Sequence, residues 1–463
     1  MRIFGHGLIG LVIALVAFFA ALRFVEVETS PPGFYLDEAA IAAQILCLRD
    51  SGHDLHGKTL PLFSEVLGGG YATPPMLYAG AAWTAVFGKS IASFRSLSAF
   101  FGVLFVIATY FLSLRIWRSQ EAAWLSALCA AISPWAFQFS RISWDPALAP
   151  ALMAAALALL FAEGAWIRRQ AALAGFLAAG AAYSYPPLRV QLALVLPAVF
   201  LACFVRDRRL VKRKFLPFVA TMLATALPLI IMTLNGQIQG RFNMLSVFNE
   251  RYLSQFGEPT FTAGLIHFKD NFAAHFSMSY LALQGDANPR HSTGAFGEWS
   301  PLDLIALAIA VVLGAKAMNA RKRIGSSAVP FLFAAFGYLA GIVPSALTWE
   351  SNPHALRSIG ALVFLALGSG GALAMAWRAK RVWRIAVVTV AIGFSAYFYY
   401  DYFALYPTRV GLYFDARAVE AIERLRVEGN LTEEAVRATP ELKDYPVLAL
   451  RYFQQASGVL TCE

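Results

Sequence analysis

The residues in this chain able to do chemistry fall in a few short polar patches between long apolar runs. The first is Asp37-Glu38, within Gly33-Phe34-Tyr35-Leu36-Asp37-Glu38-Ala39-Ala40. Adjacent carboxylates at a helix start can simply cap the helix and favour its dipole. They can also supply a general base, and paired acids near lipid raise one another's pKa, which suits that task. Asp145, in Ser140-Arg141-Ile142-Ser143-Trp144-Asp145-Pro146, is a second catalytic candidate. Its plainer use is to cap the following helix, with Pro146 at the first helical position. Arg141 beside it reads either as an interface residue or as the partner of an acid.

Three further patches carry cations. Tyr183-Ser184-Tyr185-Pro186-Pro187-Leu188-Arg189 suits an aromatic belt at a membrane boundary. Tyr183 and Tyr185 would equally stack on a sugar, while the Arg189 guanidinium clamps a phosphate. Gly285-Asp286-Ala287-Asn288-Pro289-Arg290-His291 and Asn352-Pro353-His354-Ala355-Leu356-Arg357 each place an Arg and a His close together. Anion binding is the simplest use of Arg290, His291, His354 and Arg357. Zinc is possible in principle, yet the linear order offers no compact ligand set. No metal site is assigned, and a divalent ion on the external acids is left open. His53 and His56 read as solvated side chains.

The elements that position these patches follow from composition. The chain has 463 residues, 58% hydrophobic and only 14% charged, with a mean hydropathy of +0.58. A soluble domain carries about 25% charge. The excess apolar residues form blocks of roughly 17–22 residues, long enough to cross ~30 Å of hydrocarbon as helices. A transmembrane barrel is excluded because the blocks do not alternate. The net charge of +10 lies in short loops, as the positive-inside rule demands, and does not point to nucleic acid.

The blocks run at about 7–25, 91–113, 121–139, 146–166, 170–186, 188–205, 215–234, 301–317, 328–347, 357–377 and 385–400. The first is read as an uncleaved span, longer than a signal-peptide core. Pro74 to Phe87 is too short to cross and suits an interfacial or re-entrant helix. Leu36 to Arg49 reads as an amphipathic helix along the membrane surface, with Ile41, Ile45 and Leu48 on its apolar face. Basic clusters at Arg115/Arg118, Arg168/Arg169, 206–214, 316–323 and 378–384 occupy every second loop. That parity predicts an all-α polytopic bundle of about eleven spans, with a cytoplasmic N-terminus.

Every candidate patch then lies outside, in loops 26–90, 140–145, 184–189, 235–300 and 348–356. Residues 1–400 form the transmembrane domain, and 401–463 a small external C-terminal segment. Cys129 and Cys203 read as packing residues. Cys47 and Cys462 both fall outside, so a disulfide between them is open.

These motifs in this order resemble the GT-C superfamily of membrane glycosyltransferases, especially protein O-mannosyltransferases and lipid A aminoarabinose transferases. Asp37-Glu38 is similar to the acidic pair after the first span, and Asp145 to the acid of the second external loop. Gly52-x-Asp54-x-x-Gly57 with Pro61, and Thr73-Pro74-Pro75-Met76-Leu77-Tyr78, resemble the rest of the first loop. Ser133-Pro134-Trp135 through Arg141, Gly285 through His291, and Pro353-His354 through Gly360 are similar to family signatures. The likeness covers residues 1 to about 400. Thr73 departs from it, standing where some relatives carry a basic residue.

The resemblance implies a GT-C-like bundle with external interfacial helices. It also implies an inverting glycosyltransferase that uses a polyprenyl-phosphate sugar donor. Asp37 would be the base. Glu38 and Asp145 would orient it or the acceptor, with Tyr183, Tyr185 and Arg141 contacting sugar or acceptor. Arg189, Arg290, His291, His354 and Arg357 would bind the donor phosphate. The implied acceptor is a protein, glycolipid or polysaccharide of the cell envelope. The implied place is a bacterial inner (plasma) membrane with a periplasmic active site. No organic cofactor is needed, since the chain has no P-loop or dinucleotide fingerprint. The rival reading is a transporter or flippase of lipid-linked sugars. That class usually places ionisable groups near the bilayer midplane rather than at one interface.

Overall fold

The computed structural model describes residues 2–206, 208–238, 240–319, 328–460 and 462. Each of the eleven apolar blocks is helical, in elements α1 (Arg2–Ala21), α4 (Ile91–Trp117), α5 (Gln120–Ile132), α7 (Ala149–Leu160), α8 (Ile167–Ser184), α9 (Pro186–Arg206), α10 (Arg208–Leu234), α14 (Pro301–Asn319), α15 (Val329–Ala346), α16 (Ala361–Ala379) and α17 (Arg381–Tyr400). The third block breaks at Ser133, and α6 (Pro134–Phe139) restarts it. Pro134 explains the break, because it lacks an amide hydrogen and restricts the residue before it. Among the described residues, six helices are long and apolar enough to cross a membrane, and two shorter apolar helices, Asp145–Leu160 and Pro186–Leu201, accompany them. The basic residues Arg321, Lys322 and Arg323 lie outside the described residues.

Outside these blocks lie α2 (Leu36–Ser51), α3 (Pro74–Phe87), α11 (Gly240–Leu245), α12 (Glu250–Leu253) and α13 (Phe261–Ala274). The C-terminal segment adds α18 (Tyr406–Val410), α19 (Ala416–Val427), α20 (Glu433–Ala438) and α21 (Val447–Ala456). The chain forms two compact units, one of Met1–Leu22, Gly102–Phe137 and Ala149–Phe398, the other of Arg23–Phe101, Gln138–Leu148 and Tyr399–Glu463.

The first unit is a helix bundle built on close approach of small residues. With no apolar driving force between helices in lipid, packing and hydrogen bonds hold them together, and small side chains allow that contact. On α16, a Cβ at Gly370 would meet the Ser126 side chain and backbone of α5. α8 packs along α10 and α7 through alanines such as Ala171, Ala174 and Ala178, all buried.

The second unit is a small helical body around α2. A two-stranded hairpin, β1 (Ser64–Glu65) with β2 (Tyr71–Ala72), pairs Ser64 with Ala72 beside it. α2 does not lie as an amphipathic surface helix. It is buried from Glu38 to Leu48 and packs against α3 and α21. Ala39, Ala40, Ala42 and Ala43 leave room for neighbours on the side opposite Ile41 and Ile45. Tyr452 and Phe453 of α21 pack on Phe34, with ring centroids 4.9 and 6.4 Å away. A disulfide joins Cys47 of α2 to Cys462, with Cα atoms 5.2 Å apart.

Candidate active site

In the second unit, the acids of two loops gather at the N-terminal ends of α2 and α3. Glu38 sits in the first turn of α2 and is fully buried. Its Oε1 accepts hydrogen bonds from Arg95 Nε at 2.9 Å and from the Ser143 amide at 2.8 Å. Its Oε2 accepts from Arg95 Nη2 at 2.9 Å and from the Tyr35 amide at 3.2 Å. The capping use of this acid is therefore real, since Glu38 reaches back to the residue preceding its helix. Arg95 is equally buried and also donates to the carbonyls of Pro31 at 2.7 Å and Gly33 at 2.9 Å. One ion pair thus sets the path of the chain into α2.

Asp37 is the half-buried neighbour of this pair in the same first turn. From the C-terminal segment, Asp415 Oδ2 accepts the Leu36 amide hydrogen at 2.8 Å. Gly33 has φ +75°, and a Cβ there would run into the Phe414 carbonyl. Only glycine both adopts that backbone and admits the tail so close. Asp145 is buried, and its Oδ1 accepts from both the amide (2.7 Å) and the hydroxyl (2.6 Å) of Thr73. It therefore caps the start of α3 rather than its own helix. Thr73 is this acid's partner. Burial pushes the Asp145 carboxyl up to about 6, the Thr73 hydrogen bonds hold it down, and the charge of Asp37 adds to the rise.

Arg141 has a scaffolding place. It is fully buried and donates to the carbonyls of Ser30, Arg23 and Glu26. Its guanidinium lies over the rings of Tyr402 and Phe403, 5.3 and 5.1 Å from their centroids.

In the first unit, the segments around Asp286 and His354 come together. Asp286 is buried, and its amide donates to Glu298 Oε1 at 2.9 Å. Its Oδ1 accepts from the Asn288 amide at 2.8 Å, and its Oδ2 from the Ala355 amide at 2.7 Å. His291 Nδ1 lies 2.9 Å and His354 Nδ1 3.7 Å from that same Oδ2. The two imidazoles are 4.8 Å apart by centroid, tilted by 33°. These three side chains are a group able to hold a metal, with ligand atoms all within 4.8 Å of one another. Burial and the nearby Asp286 push the Glu298 carboxyl well up. Burial lowers the His275 imidazole to about 4, and His275 bridges Asn271 and Ser345.

The remaining cations are placed differently from one another. Arg357 is bound to Glu350, with Nη2 to Oε2 at 2.6 Å, and to Thr348 Oγ1 at 2.9 Å. Arg290 is partly exposed one residue before His291. Arg189 Nε donates to the Ala182 carbonyl at 3.1 Å. The Tyr183 hydroxyl donates to Thr225 O at 3.0 Å and accepts from the Leu229 amide at 3.2 Å, so it joins α8 to α10. Tyr185 is half-buried between α8 and α9.

Sequence reasoning missed Arg95, Asp415 and the role of Asp286. Arg95 carried a signal, since an arginine inside an apolar block is rare without a function or a partner. Nothing local in the sequence tied Asp415 to a helix start 379 positions away.

Residues 49–237 match the family described as dolichyl-phosphate-mannose-protein mannosyltransferase. No curated protein matches the chain in sequence. The structure is similar to ArnT from Cupriavidus metallidurans in the apo state, at TM-score 0.52 and 17% identity over 97% of this chain and 75% of that one. It is similar to the same protein bound to undecaprenyl phosphate, at TM-score 0.52 and 16% identity over 97% and 76%. It also resembles the Archaeoglobus fulgidus oligosaccharyltransferase in the apo form, at TM-score 0.51 and 15% identity over 95% of this chain and 59% of that one. The helical architecture is therefore a fold shared with ArnT and with the archaeal oligosaccharyltransferase.

Proposed function

We propose that this protein transfers a sugar from a polyprenyl-phosphate donor to an acceptor on the non-cytoplasmic side of a membrane, with inversion at the anomeric carbon. Asp37 takes the proton from the acceptor nucleophile. The acceptor attacks the anomeric carbon from the face opposite the phosphate. The bond to the phosphate oxygen breaks, and its electron pair leaves on the phosphate. A cationic surface stabilises that developing charge more than it stabilises the ground state. Arg290, Arg189 and Arg357, with His291 and His354, are the groups proposed for that surface. Asp145 orients the acceptor, and Glu38 positions Asp37 through Arg95 rather than touching substrate.

The observation carrying this reading is the gathering of Asp37, Glu38 and Asp145 at two adjoining helix starts of one unit. Asp37 is felt electrostatically by Asp145, while Glu38 is sequestered by Arg95. Two loops of acids are thereby sorted into one accessible carboxylate and its supports. The Cys47–Cys462 disulfide supports an oxidising compartment for this unit. The family match to mannosyltransferases supports sugar transfer over transport.

The test is Asp37→Asn in purified protein given a polyprenyl-phosphate sugar and an envelope extract as acceptor. Release of polyprenyl phosphate should fall by about 10²–10⁴-fold, the usual contribution of a general base. Donor binding and thermal unfolding should stay unchanged. Undiminished release by a folded variant refutes the base. Movement of the lipid-linked sugar across vesicles without cleavage selects the flippase reading.

A further inference from the structure

We propose that Asp415, from the C-terminal segment, is a positioning residue for Asp37: it caps α2 from outside that helix and fixes the direction in which the first turn presents the base. The inference rests on the reading of Asp37 as the general base.

A helix start leaves amide hydrogens without helical partners, and a short oxygen-bearing side chain at the N-cap usually answers one of them. In α2 that place is held by Tyr35, which is not such a residue. The Leu36 amide is answered from far along the chain, by Asp415 Oδ2 at 2.8 Å. Asp415 itself stands at the N-cap of α19, where an aspartate ordinarily caps its own helix. Its carbonyl does accept the first bond of α19, from the Val419 amide at 3.0 Å. Among the described residues, however, its carboxylate makes no cap bond to α19. It serves another helix instead.

The local backbone is arranged for this service. Asp415 has φ +56° and ψ +30°, in the left-handed region that aspartate tolerates better than most side chains. Phe414 before it is fully buried, and its carbonyl is so close to Gly33 that a Cβ there would collide with it. The C-terminal segment thus meets α2 at Gly33, turns sharply at residue 415, and delivers a carboxylate to the Leu36 amide.

Asp37 is the next residue. On one side of it, Leu36 is held through its amide by Asp415. On the other, Glu38 is held through its carboxylate by Arg95, with two contacts of 2.9 Å. The base lies between two fixed points, and both set where its side chain leaves the backbone. Proton transfer needs that aim, because it works only within hydrogen-bond reach of the acceptor nucleophile. Asp415 acts here through a neutral amide, so an uncharged oxygen of the same shape can replace its carboxylate.

The experiment compares Asp415→Gly and Asp415→Asn with the parent in the purified chain, given the polyprenyl-phosphate sugar and the envelope extract. Glycine keeps the left-handed backbone and removes the carboxylate. Asparagine tolerates that backbone and keeps an oxygen for the Leu36 amide. Asp415→Gly should lower kcat by about 10²-fold, the cost of misplacing a reacting group by about 1 Å, with the donor KM unchanged. Asp415→Asn should restore most of that loss. In an Asp37→Asn background, Asp415→Gly should cause no further fall, because effects that pass through one residue do not add. Glu420→Gln, at an exposed position of α19, should turn over as the parent does. Melting curves taken in parallel give the folded fraction of each variant. Asp415→Ser, whose oxygen falls one bond short of the Leu36 amide, carries the same expectation as Asp415→Gly and stands in for it if glycine prevents folding.

Parental kcat in a folded Asp415→Gly or Asp415→Ser protein overturns the proposal. So does a loss that asparagine leaves unrepaired, or one that Glu420→Gln shares. A further fall in the Asp37→Asn background overturns it too, since Asp415 would then act by a route of its own. Full turnover by Asp37→Asn removes the general base and this inference with it. Full turnover by the Asp415 variants alone removes the inference and leaves the base standing.

Discussion

Asp37 and Glu38 are neighbours in sequence, yet under the proposed function they carry opposite dependences, and substituting each in turn separates those dependences. Glu38 accepts four hydrogen bonds, two from Arg95 and one each from the amides of Tyr35 and Ser143. The pair is fully buried on both sides. Glu38→Gln leaves the Arg95 guanidinium without its counter-charge, and the new amide NH₂ faces donors. Removing one partner of a buried ion pair costs about 3–5 kcal/mol, mostly the desolvation of the charge left behind. At roughly 2–4 °C per kcal/mol for a unit of about 150–250 residues, the melting temperature should drop by about 6–20 °C. Adding Arg95→Met should recover part of that loss, because the stranded charge goes too, and the two effects should be non-additive by about 1–3 kcal/mol. The assay is thermal unfolding in detergent by intrinsic fluorescence, paired with donor turnover per folded molecule. Asp37→Asn should show the reverse pattern, with its melting point kept and turnover lost. A Glu38→Gln variant that melts within about 2 °C of the parent while losing turnover as Asp37→Asn does would refute the reasoning. In that outcome Glu38 would touch the substrate.

Two other outcomes follow from the same unit. Asp145 has its folded-state pKa raised to about 6 from an ordinary carboxylate value near 3.8. The folded protein therefore holds that proton more tightly than the unfolded chain does. The stabilisation is fully present below about pH 4 and is lost as pH climbs through about 6, by up to about 3 kcal/mol. Asp145→Asn should flatten that part of the stability-versus-pH curve, read by melting from pH 4 to 7, and an unchanged slope refutes the assignment. Cys462→Ser frees the C-terminal end from α2, and removing a native disulfide costs about 2–5 kcal/mol. Melting should fall accordingly, and a similar fall on adding reductant to the parent, but not to the variant, checks the cause.

The bundle was legible because its signals are cumulative. A run such as Ile91–Trp117 needs no partner to announce a helix, and the alternation of basic loops orders the runs. α3 was equally plain, since Pro74 opens it at the place where its apolar run begins. The site was legible only in part, because its residues act through neighbours distant in sequence. Asp37, Glu38 and Asp145 could be picked out as acids beside lipid. Their division of labour could not, because it depends on Arg95 sealing Glu38 and Thr73 receiving Asp145. Thr73 stood out in the sequence as a departure from a family pattern, and folding gives that departure a purpose as a double donor. The histidines were legible only as members of separate patches. His291 and His354 looked like separate anion contacts because the carboxylate between them, Asp286, is 5 positions from one and reaches the other's segment over 69.

α2 was misread for a reason that bears on function. Periodicity assigned it one apolar face and a place at the surface, because alanines count as weakly polar filler in such a pattern. Folding uses those alanines as contact surface and covers them with a segment more than 350 residues downstream. The tail thus reaches the Asp37 turn by three routes: the Asp415 carboxylate on the Leu36 amide, the Phe414 carbonyl against Gly33, and the covalent link at Cys47. A helix start held from both the front and the back has little freedom to re-aim its first turn. Such restraint is what a general base needs, since proton transfer depends on hydrogen-bond reach of about 2.6–3.2 Å. Under the proposed function the C-terminal segment therefore acts as a brace on the catalytic turn, and the dependence of turnover on that brace is a matter of angle at Asp37 rather than of added chemistry.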